Sequence, residues 1–497
     1  MSSSKSSRKR TGKGSSDSAA ISFDLLSNLT YMAALATGSP SRDLILERAI
    51  TQDFKTCVYF RRVYLLAKRM GFDYVRAFRL VANKVGADTV KNHLLRFAGA
   101  ITAGVSEADF LAQEARVERE QYISGYHRSL ETLAKWGDAY AALLVSISLV
   151  VVVSMISTML SNMGRSFVVL MTLSVCFVSA FGVYIIFRTA PSETLNYRNR
   201  QGPKTLRWAK RSFFMLVPAS VLIGVFLAFN YGFPWFLITV GLAFAPPGLL
   251  AWLDSARVNK VDQEVAPFIR SLGNVTAALG TTLSGSLAKI DRRSLGTLEP
   301  YIRRLQVRLN SKISPEKSWD AFRDEVGSQL MNRTTRMFVD GVALGGPPDR
   351  VGAIASEYAM DSAMMRARRV VSAAPFAFLT IPLHFAMTGL MVFVLEIMKA
   401  FNVRIGLAVL DLESNSGGVG IGAAATLPVF QQQDLGLLSN MTTVALMSMT
   451  IGNALTPKFA LGGHPLNTAL FGAITFLMTA FNMLIIPTIA GGVLLPE

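Results

Sequence analysis

Long uncharged runs alternate with long polar ones along this chain. Residues 139–164 and 166–187 carry no charge. Residues 212–253 are uncharged over a length sufficient for two crossings, and FNYGFP (229–234) marks a tight turn in the middle. Residues 370–395 form another apolar run, entered through Arg366, Arg368 and Arg369. Residues 435–457 are a weaker run, interrupted by Asn440, Asn453 and several threonines, and 468–495 is the densest part of the last one. A helix needs about 20 mostly apolar residues to cross the hydrocarbon core of a membrane. The pattern therefore predicts seven transmembrane helices, at 139–187 (helices 1–2), 212–253 (3–4), 370–398 (5) and 435–497 (6–7). The uncharged stretch 414–433 is rich in Gly, Ser and Gln, and reads as an irregular part of an external loop, 399–434.

The polar stretches have a helical period. Tyr122, Tyr126, Leu130, Leu133 and Tyr140 recur at three-, four- and seven-residue steps, which places them on one helix face. Gly38, Gly71, Gly86 and Gly104 punctuate the pattern as loop or cap positions. No alternating strand pattern interrupts it. The two longest polar stretches, 21–138 and 254–369, look like copies of each other. ALATGSPSRDLILERAI in the first is matched by AALGTTLSGSLAKI in the second, and Gly38, Phe78, Phe97 and Gly104 keep pace with Gly280, Phe322, Phe338 and Gly345. Each copy then runs through a polar helix into an apolar run. The expected fold class is all-α: a polytopic membrane protein with about seven transmembrane helices and two repeated cytoplasmic helical-bundle modules.

Charge orients this arrangement. The chain is apolar on average, with a mean hydropathy of +0.37, yet its formal net charge is +17. Lys and Arg accumulate on the cytoplasmic side of membrane proteins. Of the 50 here, 21 lie in residues 1–138, 7 in 188–211 and 18 in 254–369. With a cytoplasmic N-terminus and seven spans, all three stretches fall inside, leaving only Arg165, Lys399 and Arg404 outside. The short stretch 188–211 then reads as a basic cytoplasmic loop. The opening residues 1–20 are polar and basic with no apolar core, as in a disordered tail and unlike a secretory signal peptide. Arg366, Arg368 and Arg369 stand at the cytoplasmic mouth of the fifth span, where basic residues anchor a helix end among anionic lipid head groups.

Motifs for catalysis are missing from the sequence. There is no G-x-x-x-x-G-K-[ST] loop, H-E-x-x-H, C-x-x-C or G-x-S-x-G, so no enzyme chemistry, cofactor or metal is expected. The two cysteines, Cys57 and Cys176, fall in a polar segment and inside a span and are not expected to pair. His384 is an ionisable residue within a span, most simply a neutral ring hydrogen-bonded between helices.

Two helical cytoplasmic repeats, each leading into membrane spans, resemble the type II secretion F domain, the platform family of type IV filament machines that includes PilC, TadC and the archaeal FlaJ (ArlJ). The resemblance rests on the Gly-containing turns in ALATGSPSRDL and AALGTTLSGSL and the closing AGVSEADFL and LGGPPDRVGAI, over roughly residues 28–180 and 262–398. Four spans between the modules depart from the bacterial three-span pattern, and APFAFLTIPLHFAMTGLMVFVLEIM looks most like the FlaJ branch. The resemblance implies a non-enzymatic platform in the cell membrane for assembling a type IV pilus-like filament, an archaellum or archaeal pilus serving secretion or motility. It implies a hexameric secretion ATPase beneath the membrane, pilin-like or archaellin subunits and membrane lipids as partners, and admits a homodimer.

Basic residues at helical spacing mark where an acidic ATPase rim would dock: Arg61, Arg62, Lys68 and Arg69 on the first module, and Arg303, Arg304 and Arg308 on the second. A secondary transporter is the alternative, but transporter repeats lie in the membrane, whereas the repeats here are polar. Nucleic-acid binding is suggested by the charge alone and is not expected.

Overall fold

The computed structural model describes residues 14–160, 165–191, 193, 195–197, 203–415 and 435–494. Nearly all of them are helical. In chain order the helices are α1 (Gly14–Ala36), α2 (Arg42–Ile50), α3 (Cys57–Met70), α4 (Tyr74–Ala82), α5 (Asp88–Thr102), α6 (Glu107–Leu160), α7 (Arg165–Thr189) and α8 (Lys204–Tyr231). There follow α9 (Phe233–Leu279), α10 (Leu283–Leu287), a 3₁₀ segment (Arg292–Leu298), α11 (Glu299–Asn310), α12 (Pro315–Val326), α13 (Gln329–Ala343), α14 (Pro348–Asn415), α15 (Leu435–Leu461) and α16 (Asn467–Leu494). Among the described residues the β pairing is a single bridge, Asn196 to Ser328.

Seven of these helices, α6, α7, α8, α9, α14, α15 and α16, are long and apolar enough to cross a membrane, as the patterning predicts. The chain is an all-α, multi-pass membrane protein. The FNYGFP turn is the break between α8 and α9, made by Gly232 at φ 101°, a left-handed conformation that glycine adopts without strain. Pro218, Pro375, Pro382, Pro457 and Pro487 lie inside the long helices, where neighbouring helices can satisfy the backbone groups they free. Helix α14 runs on to Asn415, beyond the apolar run, with Glu396 and Lys399 paired one turn apart at 2.6 Å. The Gly/Ser/Gln-rich stretch falls almost wholly on 416–434, outside the described residues, as do 1–13 of the basic tail.

The chain divides into two compact units. The polar unit is built from residues up to Leu130, from Pro191–Lys204 and from Leu253–Arg369. The apolar unit is built from Glu131–Ala190, Thr205–Trp252 and Val370 onward. Each boundary at 130, 252 and 369 falls inside a single helix: α6, α9 and α14 respectively.

Within the polar unit both repeat-like stretches contribute to one hydrophobic core. Leu29, Phe60, Phe78 and Phe97 from the first, and Ile269, Leu305, Phe322 and Phe338 from the second, belong to the same buried cluster. Helix α1 runs through this core, and every residue from Asp24 to Ala36 is buried. The short helices end where the chain supplies caps. Gly71 closes α3 in the left-handed region (φ 68°), and the Asp73 carboxylate then accepts from the Val75 N–H to open α4. Ser328 opens α13 by accepting from the Met331 N–H.

In the apolar unit α15 packs against α7 and α16, and Leu237, Val240, Phe476 and Ala480 form a small buried cluster between α9 and α16. Gly248 lets α9 approach the backbone of α16 closely: a Cβ there would overlap the Leu470 backbone. Such small-residue contacts are the usual means by which membrane helices pack, since lipid tails supply no hydrophobic drive between them.

Candidate functional site

Helices α3 and α11 carry the predicted basic faces on the surface of the polar unit. Arg61, Arg62, Lys68 and Arg69 are all exposed, as are Arg303 and Arg304, while Arg308 is half-buried. The structure distinguishes among them. Lys68 pairs with Asp43 of α2, and that hydrogen bond, together with one from the Tyr74 hydroxyl, holds the Asp43 carboxyl below its ordinary range. Arg304 and Arg308 share Glu325: the Arg304 Nε lies 2.7 Å from one carboxylate oxygen and Arg308 contacts the other. The Arg304 guanidinium also stacks over Tyr301 at 4.8 Å. Arg61 donates to the Ile50 carbonyl at 3.4 Å. Arg61, Arg62, Arg69 and Arg303 have no acidic partner in an ion pair among the described residues.

The three arginines at the head of the fifth apolar run have protein partners. Arg366 is mostly enclosed, contacts Asp262 and lies 3.6 Å from Glu193. Asp262 also receives the Ser328 hydroxyl. Arg369 is buried and donates to the Pro191 carbonyl at 2.7 Å. Arg368 is exposed and touches the His127 ring. Pro191 and Glu193 are thereby held within the polar unit, and backbone bonds from Tyr197 N to Gly327 O (2.9 Å) and from Gln329 N to Leu195 O (3.1 Å) hold Leu195 and Tyr197 there as well.

A second buried charge network lies elsewhere in the polar unit. The Arg333 Nη2 donates to Asp24 Oδ1 at 2.7 Å and its Nη1 to the Ser27 hydroxyl at 2.7 Å. The guanidinium sits 4.9 Å from the ring centres of both Phe23 and Phe54. Asp24 also accepts from the Lys55 N–H, and Ser27 is 2.8 Å from the Tyr358 hydroxyl. One helix turn from Ser27, Tyr31 donates to Asp340 at 2.6 Å, and burial pushes its hydroxyl pKa up. Nothing in the sequence spacing marks these pairs, since their members lie about 300 residues apart. Beside this network a cavity of about 230 Å³ is lined by Thr30, Ala33, Arg116, Arg119, Glu357 and Asp361 among others. Arg119 of α6 pairs with two acids of α14 in that lining, Glu357 and Asp361.

His384 is fully buried in the apolar unit and joins a chain of polar groups. Its Nε2 lies 2.9 Å from Thr479 Oγ1 and 3.2 Å from the Thr475 carbonyl. A carbonyl can only accept, so Nε2 carries the proton and Nδ1 is the acceptor. Asn453 therefore presents its NH₂ to Nδ1 at 3.1 Å and accepts the Tyr140 hydroxyl on its oxygen at 3.0 Å. Thr450 closes the chain, 2.8 Å from Thr479. This is a neutral imidazole hydrogen-bonded between helices, as the sequence suggests. Cys57 is buried, bonded to the Ala49 carbonyl at 3.1 Å, and burial pushes its thiol pKa to about 11. Among the described residues no three His, Cys, Asp or Glu side chains gather where they could hold a metal ion.

Against this geometry the chain can be compared with known proteins. It is 24% identical over 300 residues to the flagella accessory protein J of Methanococcus voltae, a match covering 58% of this chain and 53% of that one. It is 24% identical over 308 residues to the flagella accessory protein J of Methanocaldococcus jannaschii, covering 60% of this chain and 55% of that one. The similarity falls on the FlaJ branch that the sequence motifs resemble. The chain spans about half the length of the curated relatives it matches. No family model matches it, and no solved structure does.

Proposed function

We propose that this chain is the membrane platform of an archaellum or a related archaeal pilus, a non-enzymatic protein that couples a cytoplasmic secretion ATPase to the insertion or rotation of pilin-like subunits. The observation that carries the reading is the similarity to two archaeal flagella accessory proteins J. The polar unit supports it. All three Lys/Arg-rich stretches contribute to that one unit, which suits a reading that puts them on one side of the membrane, and the bias of basic residues toward the inside favours the cytoplasm as that side. Basic helix faces on α3 and α11 then suit an acidic partner in the cytoplasm. Helices α6, α9 and α14 contribute to both units, and so join the polar unit on which such a partner would dock covalently to the spans. Arg366, Arg368 and Arg369 would secure α14 at the membrane surface where its apolar run begins.

Two measurements test the reading. A topology reporter after Glu497 should read outside and one at the N-terminus inside. The purified protein should hydrolyse no ATP alone, and should raise the hydrolysis rate of the secretion ATPase from the same organism. Hydrolysis by the rigorously purified chain, or an ATPase rate indifferent to it, would overturn the platform reading.

A further inference from the structure

The two basic faces share more than charge. Tyr59–Leu65 reads YFRRVYL and Tyr301–Val307 reads YIRRLQV. The offset between them is the one that relates Gly38 to Gly280, so the match is in register with the repeat. Both lie on the helix that packs on the next one of its copy, α3 on α4 and α11 on α12. Their burial agrees position by position. Phe60 and Val63 are buried, as are Ile302 and Leu305. Tyr59 and Tyr64 are half-buried, as are Tyr301 and Gln306. Arg61, Arg62 and Leu65 are exposed, as are Arg303, Arg304 and Val307.

Packing explains the likeness of the inward positions, because each copy has a core to fill. It does not explain the outward ones. Leu65 is 37% and Val307 59% exposed, each one helix turn beyond an arginine with no acidic partner in an ion pair among the described residues. Residues four apart share a helix face, so Arg61 with Leu65, and Arg303 with Val307, each make a small patch of one cation and one aliphatic group. Such a patch fits an acidic surface with an apolar notch, the arrangement by which charged rims and apolar centres meet at interfaces. A lipid surface fits less well, since one aliphatic side chain per patch offers little to insert.

We infer that α3 and α11 are two equivalent docking elements, centred on Arg61–Leu65 and Arg303–Val307, that engage two copies of the same acidic surface on a homo-oligomeric cytoplasmic partner. One chain presenting one patch twice matches a partner that repeats one subunit. On the platform reading, on which this inference rests, those copies are two subunits of the ATPase ring. Binding is then bivalent, and its strength comes from avidity more than from either patch alone.

The test uses the full chain in nanodiscs, the hexameric secretion ATPase of the same organism, and the same ATPase disabled for ring assembly. The variants are Arg61→Glu/Leu65→Ser, Arg303→Glu/Val307→Ser and the four substitutions together. Arg304 is left in place because it is held by Glu325. All four sites are exposed, so unchanged melting temperatures are expected. Each double variant should weaken ring binding by similar factors, about 10²-fold, and the four-fold variant should reduce it to background. The unassembled ATPase should bind wild type and both double variants within about threefold of each other, because either patch suffices for one subunit. Loss confined to one double variant would overturn the equivalence while leaving the platform reading intact. Full ring binding by the four-fold variant would assign both patches to lipid or solvent and overturn the inference. Failure of wild type to bind the ring at all would remove the platform reading and the inference with it.

Discussion

Arg333 on α13 donates to Asp24 on α1 across 2.7 Å, and both side chains are almost fully enclosed. One comes from each repeat-like stretch of the polar unit, so this pair lies within the core that the two stretches share. Removing one partner leaves a charge buried without its counterion, which costs about 3–5 kcal/mol. Arg333→Met and Asp24→Leu should each lower the thermal stability of the detergent-solubilised protein by an amount in that range. The double variant should lose less than the sum of the two. Additive losses would mean that the two residues are energetically independent.

Gly248 stands where α9 meets the backbone of α16 at Leu470. Backbone cannot rotate aside as a flexible side chain can, so a larger residue must separate the two helices. Gly248→Val should destabilise the protein by about 1–3 kcal/mol, the usual cost of overpacking, read as a lower melting temperature. A variant as stable as the parent would show that α16 shifts freely.

His384 bonds to Asn453 on one side and Thr479 on the other, within the apolar unit. Hydrogen bonds between membrane helices contribute on average about 0.6 kcal/mol, and at most about 1.7. A double-mutant cycle with His384→Leu and Asn453→Ala should return a coupling energy in that range. A coupling indistinguishable from zero would remove the ring from the network.

His93 is wholly buried in the polar unit, where Nδ1 lies 2.8 Å from Glu114 and Arg96 holds the same carboxylate. Burial holds its pKa below the ordinary 6.5. The folded pKa thus lies below the unfolded one. As pH falls through about 6.5, the unfolded chain takes up a proton that the folded chain refuses, and stability drops. Above that pH the ring is neutral in both states and contributes no slope. Stability should therefore decline on acidification by up to about 1.4 kcal/mol per pH unit from this group. His93→Gln, which can still donate to Glu114 but does not titrate, should flatten the decline. An unchanged slope would assign the acid sensitivity to other groups.

By itself the sequence determined what depends on local composition. The seven spans are legible because crossing hydrocarbon requires a long uncharged run, and the α8–α9 break because only a tight turn fits FNYGFP between two such runs. The exposed arginines of α3 and α11 were legible too, since helical spacing sorts Arg61 and Arg62 from Phe60, and Arg303 and Arg304 from Ile302, without knowledge of the rest of the fold. What only the tertiary structure decided is which charges meet. Arg366 stands at the head of an apolar run, yet its side chain turns to Asp262 and Glu193. Lys68 and Arg62 share one helix, but Lys68 meets Asp43 while Arg62 meets no acid in an ion pair among the described residues. Helix α1 shows the same limit: its Asp24, Ser27 and Asn28 read as polar in sequence, yet all are buried, because Arg333, Tyr358 and Thr56 meet them there. A buried polar group is stable only beside its partner, and when that partner is some 300 residues away no local pattern can announce it.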